Sequence, residues 1–232
     1  MTEGLILETH PYDAYEQMAA DEVVCDTRPC PYTLRFYDWS GAGITFGYSQ
    51  RAAAVRAGLG PERAALPLVR RPTGGGVVFH ESDLTFSFVF PQPGAYFEPA
   101  AAYDRLHRAI AGAYAEAGVP FELLAAKTPD YRTNDPVMHC FNKPVNLDIL
   151  YNGKKVLGGA LRKFGDNMLY QASFQAPDAR TNQGFHRKLI IKAVGEEFAL
   201  SWRCAGFPER DKAAVKSLAA SKYASREWNE RI

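Results

Sequence analysis

Cysteine, net charge and long apolar runs are all scarce in this chain, and each shortage narrows what the protein can be. Only four cysteines stand among 232 residues, Cys25, Cys30, Cys140 and Cys204, and none forms a CxxC pair. In a reducing compartment such sparse thiols stay free, so each is either core filler or a reactive group. The formal net charge is +1, which gives no electrostatic case for nucleic acid or a membrane surface. No stretch approaches the roughly 18 uninterrupted apolar residues that span a bilayer, and the opening MTEGLILETHPYD lacks the basic start and apolar run of a secretion signal. A cytoplasmic protein with neither a nucleic-acid nor a membrane partner is the expectation. Internal repeats, low-complexity tracts and long charge runs are missing too, so residues 1–232 read as one continuous domain.

What is present suits a globular enzyme core. Hydrophobic residues make up 47% and charged residues 23%, and a chain of this length buries roughly 70% of its unfolded surface. Helix formers fill residues 12–26, and Pro29 and Pro31 stop them. A strand rich in aromatic and β-branched residues follows at 32–39. Three strands are expected at 66–71, 77–80 and 84–90, as a meander with a triple-glycine turn. Residues 101–118 carry Leu106, Ile110 and Ala113 at helical spacing. A second meander spans 145–174, and its first turn, Asn152-Gly153, has both central positions suited to positive φ. Helices over 185–200 and around 212–221 close the chain. The sum is an α+β domain with mainly antiparallel sheets flanked by helices, and not a βαβ dinucleotide fold.

Three features could carry chemistry. In RRPTGGG, from Arg70 to Gly76, consecutive glycines uncover backbone N–H groups and the arginines add positive potential. A flexible hairpin turn explains the same glycines equally well, and no P-loop lysine and serine follow. Cys140, in MHCFNKPVNLDI, lies outside any periodic apolar run; a lone cysteine is more often a small hydrophobe than a nucleophile. In GKKVLGGA, Lys154 and Lys155 occupy successive strand positions and so face opposite sides of the sheet. One can be solvated while the other points inward over Gly158, Gly159 and Ala160, where small residues allow close approach. Two solvated lysines beside a turn are the plainer reading.

Together with RFYDW, FGYSQ, DLTFS and the terminal KYASREWN, these elements cover residues 12–229 and resemble the lipoyl/octanoyl ligase and transferase family, relatives of the biotin ligases. The order RR-T-GGG-H followed by K-V-x-G-x-A carries the resemblance. It implies a single biotin/lipoate-protein-ligase-like catalytic domain. Two chemistries occur in that family: ligases activate free lipoate with ATP through an acyl-adenylate, whereas octanoyltransferases take the acyl group from acyl carrier protein onto their own cysteine. The Cys140-Phe141 dipeptide resembles the nucleophile motif of one transferase branch, and the additional C-terminal domain of many ligases has no counterpart here. The resemblance therefore implies an octanoyltransferase that loads Cys140 from octanoyl-acyl carrier protein and delivers to a lysine of a lipoyl-domain protein. ATP-dependent lipoate ligation, or amidotransfer between lipoyl proteins, is the alternative. No cofactor and no metal are expected, ATP and Mg belonging only to the ligase alternative.

In that scheme Cys140 and Lys155 are catalytic, since a nearby ammonium lowers a thiol's pKa and can stabilise charge on a thioester carbonyl. Substrate contacts fall to Arg70, Arg71, Thr73, Gly74, Gly75, Gly76, His80, Gly158, Gly159 and Ala160, with Val77 and Val78 beside the acyl tail. Burying about seven methylene-sized carbons at roughly 0.8 kcal/mol each gives about 5 to 6 kcal/mol, enough to select a medium chain over acetyl. His80 is expected to orient rather than act as a base. His139 is expected to point away from Cys140, and His10, His107 and His186 have no supporting context. Cys25, Cys30 and Cys204 are taken as structural. Arg70, Arg71, Lys154 and Lys163 are expected to form a local basic surface for the acidic donor. One departure stands out: the resemblance implies a His-Gly pair where this chain has Gln171-Ala172, and the alanine is expected to alter acyl-chain preference.

Overall fold

Asp13 opens the first helix with a reciprocal cap that the tetrapeptide DAYE permits. Its carboxylate accepts from the backbone N–H of Tyr15 at 2.9 Å and Glu16 at 2.8 Å, while Glu16 Oε2 accepts from Asp13 N. The computed structural model describes residues 1–94, 98–125, 140–141 and 144–231. In chain order it runs β1 (Thr2–Glu8), α1 (Ala14–Thr27), β2 (Thr33–Phe36), β3 (Gly43–Phe46), α2 (Ala52–Ala57), β4 (Leu68–Arg70), β5 (Val78–His80), β6 (Leu84–Pro91) and α3 (Pro99–Glu116). Then come β7 (Glu122–Leu123), β8 (Ile149–Tyr151), β9 (Lys154–Phe164), β10 (Asn167–Phe174), α4 (Gln183–Glu197), β11 (Leu200–Gly206), α5 (Glu209–Leu218), a single π-helical turn (Ala219–Tyr223) and α6 (Arg226–Asn229).

The strands form an eight-stranded sheet in the order β11-β1-β2-β6-β10-β9-β8-β7 and a three-stranded sheet in the order β4-β3-β5. Most pairings are antiparallel; β1 with β11, β1 with β2, and β3 with β4 are parallel. The α+β reading with mainly antiparallel strands holds. Alternation along β6 and β10 sends Phe86, Phe88, Met168 and Tyr170 into the core under α3 and α4, and Val89 and Leu169 into the core under α1. Leu200 starts a strand at the sheet edge instead of ending a helix, because Gln183–Glu197 stops three residues earlier.

The first expected meander is wrong. Strands β4 and β5 do not pair with each other, because β3 lies between them, parallel to β4 and antiparallel to β5. The next strand, β6, belongs to the other sheet. The triple glycine is thus no hairpin turn but a crossing loop, laid over the end of β3 by hydrogen bonds from Arg71 N to Phe46 O and from Tyr48 N to Thr73 O. Gly47 makes the crossing possible: a Cβ there would stand 1.8 Å from Gly75 O, and Gly75 itself has φ 89°. Gly47→Ala must push the loop away, and a loss of roughly 1–3 kcal/mol in thermal unfolding is expected.

The second meander forms as read. Asn152 and Gly153 adopt φ 50° and 72°, the geometry of a tight turn with both central residues left-handed, and join β8 to β9.

Candidate active site

Cys140 lies in a turn whose backbone N–H donates to Val77 O at 3.0 Å, which fixes it beside the strand that follows the glycine loop. Lys155 comes to it from β9. Its Nζ is 3.6 Å from Cys140 Sγ, 3.1 Å from Cys140 O and 2.8 Å from Asp148 Oδ2. Lys154 is exposed, whereas the Lys155 side chain is only 3% exposed, so the alternation of the two lysines resolves as one out and one in.

Two local features aim the inward lysine. The pairing of β8 with β9 shifts register between Ile149 and Leu150, opposite Lys155, and such a bulge redirects a side chain. Gly158 supplies the space, since a Cβ there would lie 2.2 Å from Lys155 Cε and 2.5 Å from Nζ. Asp148, fully buried, then holds the ammonium while accepting from Val145 N at 2.6 Å and from Tyr103 OH at 2.5 Å. Burial pulls the Lys155 pKa down, but Cys140 and Asp148 outweigh it and leave the pKa above the ordinary lysine value. The site therefore carries a cation held against a sulfur.

A cavity partly open to solvent lies at Cys140, lined by Gly74, Gly75 and Val78 and by Gly158, Gly159 and Ala160. Its remaining wall includes Met18, Tyr37 and Gln171. Many lining residues are polar, yet their polar atoms are already engaged. Arg71 donates to Thr45 Oγ1, Gly74 O and Gly76 O, each at 2.8 Å. His80 bonds Thr45 Oγ1 and Asp83 Oδ2, both at 2.8 Å, and stacks on Trp39 with ring centres 4.3 Å apart. Gln171 accepts from Thr73 Oγ1 at 2.6 Å and donates to Asp21 Oδ2 at 2.7 Å. Polar groups that satisfy one another turn their carbon surfaces to the cavity, which suits an apolar guest.

Of the residues expected from sequence, Arg71, Gly74, Gly75, His80, Cys140, Gly158, Gly159 and Ala160 gather at this cavity. Thr73 and Gly76 stand behind the lining and orient Gln171 and Arg71. Arg70 goes elsewhere. Its guanidinium is fully buried and donates to the carbonyls of Tyr48, Gln50, Trp228 and Asn229, so it anchors the C-terminal helix; burial, with Arg231 nearby, lowers its pKa to about 10. With Arg70 and Arg71 both buried, the expected basic surface loses its two arginines. His107 is buried between Leu147 O and Tyr170 OH, and burial lowers its pKa to about 3. Cys25 and Cys30 are buried and Cys204 is exposed on the edge strand, while His139 falls outside the described residues.

The sequence of residues 13–177 matches the family of the lipoyl protein ligase A/B catalytic domain. The chain belongs to that family. Among its relatives, the octanoyltransferase LipM of Moorella thermoacetica is 27% identical over an alignment 267 positions long, covering 97% of each chain. Members of known structure share the lipoyl ligase fold: a putative lipoate protein ligase of T. acidophilum with bound lipoic acid has a TM-score of 0.77 at 21% identity, with 100% of both chains covered. A structure of the bipartite lipoate protein ligase and its E2 lipoyl domain from Thermoplasma acidophilum matches with a TM-score of 0.74 at 20% identity, covering 99% of this chain and 96% of that one.

Sequence reading passed over Asp148 and Tyr103 at this site, and Gln17 and Asp21 behind it. Asp148 carried a signal, a lone carboxylate between Leu147 and Ile149 in VNLDIL. Gln17 and Asp21 carried another, polar residues at i and i+4 among the Met, Ala and Val residues that fill the middle of α1.

Proposed function

We infer that this chain is an octanoyltransferase of protein lipoylation, taking octanoyl from acyl carrier protein onto Cys140 and passing it to a lysine of a lipoyl domain. The observation that carries the reading is the Cys140 Sγ to Lys155 Nζ approach of 3.6 Å at the mouth of an apolar-faced cavity. The LipM name of the Moorella thermoacetica relative supports the acyl group and the transferase class, and the Thermoplasma acidophilum ligase described with its E2 lipoyl domain supports the acceptor.

In the first half-reaction the Cys140 sulfur attacks the donor thioester carbonyl, and the carrier's thiolate leaves as the new thioester forms. The ammonium of Lys155 stabilises negative charge on the attacking sulfur. Gly74, Gly75, Gly158, Gly159 and Ala160 give the acyl chain room, and His80, locked by Asp83, Thr45 and Trp39, shapes the wall instead of moving a proton. The reaction needs no cofactor and takes place in the cytoplasm, within one catalytic domain.

Intact-mass measurement after mixing with octanoyl-acyl carrier protein is expected to show one octanoyl adduct, absent from Cys140→Ala, which also fails to modify a lipoyl domain. ATP-dependent modification from free lipoate that survives Cys140→Ala would establish a ligase instead.

A further inference from the structure

We propose that Asp148 is the counter-ion that keeps Lys155 charged once Cys140 has been acylated, which makes it a positioning residue for delivery to the acceptor more than for loading. The assignment rests on the thioester reading above. In the free enzyme the buried ammonium faces two groups able to carry negative charge, the Cys140 sulfur at 3.6 Å and the Asp148 carboxylate at 2.8 Å. Acylation turns the sulfur into a neutral thioester. Only the carboxylate then remains among the described residues.

Among the described residues, no other group packed around the pair replaces it. Tyr103 of α3 reaches Asp148 as a hydrogen-bond donor, and burial together with Asp148 raises its pKa well above the ordinary phenol value, so it stays neutral. His107, stacked on Tyr103, is kept neutral by burial, and Tyr170 of β10 is a buried phenol whose pKa burial likewise raises. Phe141 presents its ring to Nζ at 5.2 Å, and Arg71, on the far side of Cys140, is itself cationic. An ammonium 3% exposed beside a carboxylate 0% exposed loses its proton readily if the carboxylate is removed, because burial disfavours an uncompensated charge.

The carboxylate is also rigidly placed. Val145 N and Lys155 Nζ share Oδ2, Tyr103 OH holds Oδ1, and that hydroxyl in turn accepts from Gly159 N at 3.2 Å. In delivery, the acceptor amine attacks the thioester carbonyl carbon. The C–N bond forms, the C–S bond breaks with its electron pair returning to Sγ, and the proton shed by nitrogen ends on sulfur as the thiol. Negative charge builds first on the carbonyl oxygen and then on Sγ, and a charged Lys155 stabilises it where a neutral one does not.

Asp148→Asn is therefore expected to acquire the octanoyl adduct at near wild-type rate, yet to pass it to a lipoyl domain on the order of 100-fold more slowly. Its delivery rate should level off as pH rises from about 7 to about 9, where the wild-type rate keeps climbing as the acceptor amine deprotonates; Asp148→Glu should restore much of the rate. A donor-independent measurement accompanies this. In a Cys204→Ser background, methyl methanethiosulfonate caps Cys140 with a neutral sulfur, and the ζ-15N resonance of Lys155, assigned by its loss in Lys155→Arg, reports the charge. The capped wild type should remain an ammonium through about pH 9, and Asp148→Asn should deprotonate roughly one pH unit or more lower. Identical titrations in the two proteins, or equal slowing of loading and delivery, overturn the assignment. If Asp148→Asn does not fold, Asp148→Ser takes its place under the same criteria. A shifted lysine titration without any octanoyl adduct in the wild type would refute the transferase reading and leave the counter-ion standing.

Discussion

Asp21→Ala should lower the melting temperature by roughly 10 °C at neutral pH. The carboxylate is fully buried in α1 and pairs with Arg35, 1% exposed, through Nε at 3.0 Å and Nη2 at 2.6 Å. Burial lowers the Arg35 pKa, but Asp21 and Tyr37 raise it more, so the guanidinium stays charged. Removing Asp21 leaves that charge in the core with only Gln17 to accept from it, and breaking one partner of such a pair costs about 3–5 kcal/mol. Ser87 at 2.6 Å, Gln171 at 2.7 Å and the Tyr37 hydroxyl lose the same acceptor. The double replacement Asp21→Leu with Arg35→Met should recover much of the loss, because it removes the charge along with its partner. A calorimetric melt within about 2 °C of wild type for Asp21→Ala would show that the network contributes little.

The network matters to the site because Gln171 hangs from it. Where the family resemblance leads one to expect histidine, this chain places a side chain that bridges Thr73 on the glycine loop to Asp21 on the first helix. Loop and helix lie far apart in sequence, and the glutamine fixes the wall of the cavity between them. Ala172, next to it, lines the same cavity, and its methyl group occupies space a glycine would leave open.

What the sequence revealed and what it concealed divide by range. The Asn152-Gly153 turn, the opposed lysines and the helix over Pro99–Glu116 are local, set by φ preferences and by periods of two and 3.6 residues, and all were legible. The small sheet was not, because β3 is four residues long and its partners come from later in the chain. Without that strand, Arg70 and Arg71 look alike. In the structure, neighbours on a strand end diverge: Arg71 turns to the cavity, and Arg70 turns to a C-terminal helix more than 150 residues away. Asp148 escaped notice for a related reason, since its one local signal, a carboxylate among apolar neighbours, does not say what it holds until the lysine is in place.

Lys155→Ala and Gly158→Ala should reach one catalytic outcome by different routes, and the contrast tests the arrangement more sharply than either alone. The first removes the cation, and delivery and loading should both fall by about 100- to 1000-fold, the scale of losing one positioned charge-stabilising donor. The second keeps the cation but adds a Cβ 2.2 Å from Lys155 Cε and 2.5 Å from Nζ. A side chain on the surface would swing aside. This one is 3% exposed, tied to a fixed carboxylate at 2.8 Å, and enclosed by Phe141 and Cys140, so the new methyl group must displace Nζ from Sγ or spread β9 from its neighbours. Gly158→Ala should therefore lose roughly 100-fold in loading rate. Its melting temperature should fall modestly, as overpacking costs about 1–3 kcal/mol. Ala160, on the same strand face two residues on, already carries a Cβ into the cavity, so Ala160→Gly should leave loading within about threefold of wild type. Measured by stopped-flow formation of the octanoyl adduct, a Gly158→Ala enzyme as fast as wild type would mean that the ammonium does not need its place beside Cys140.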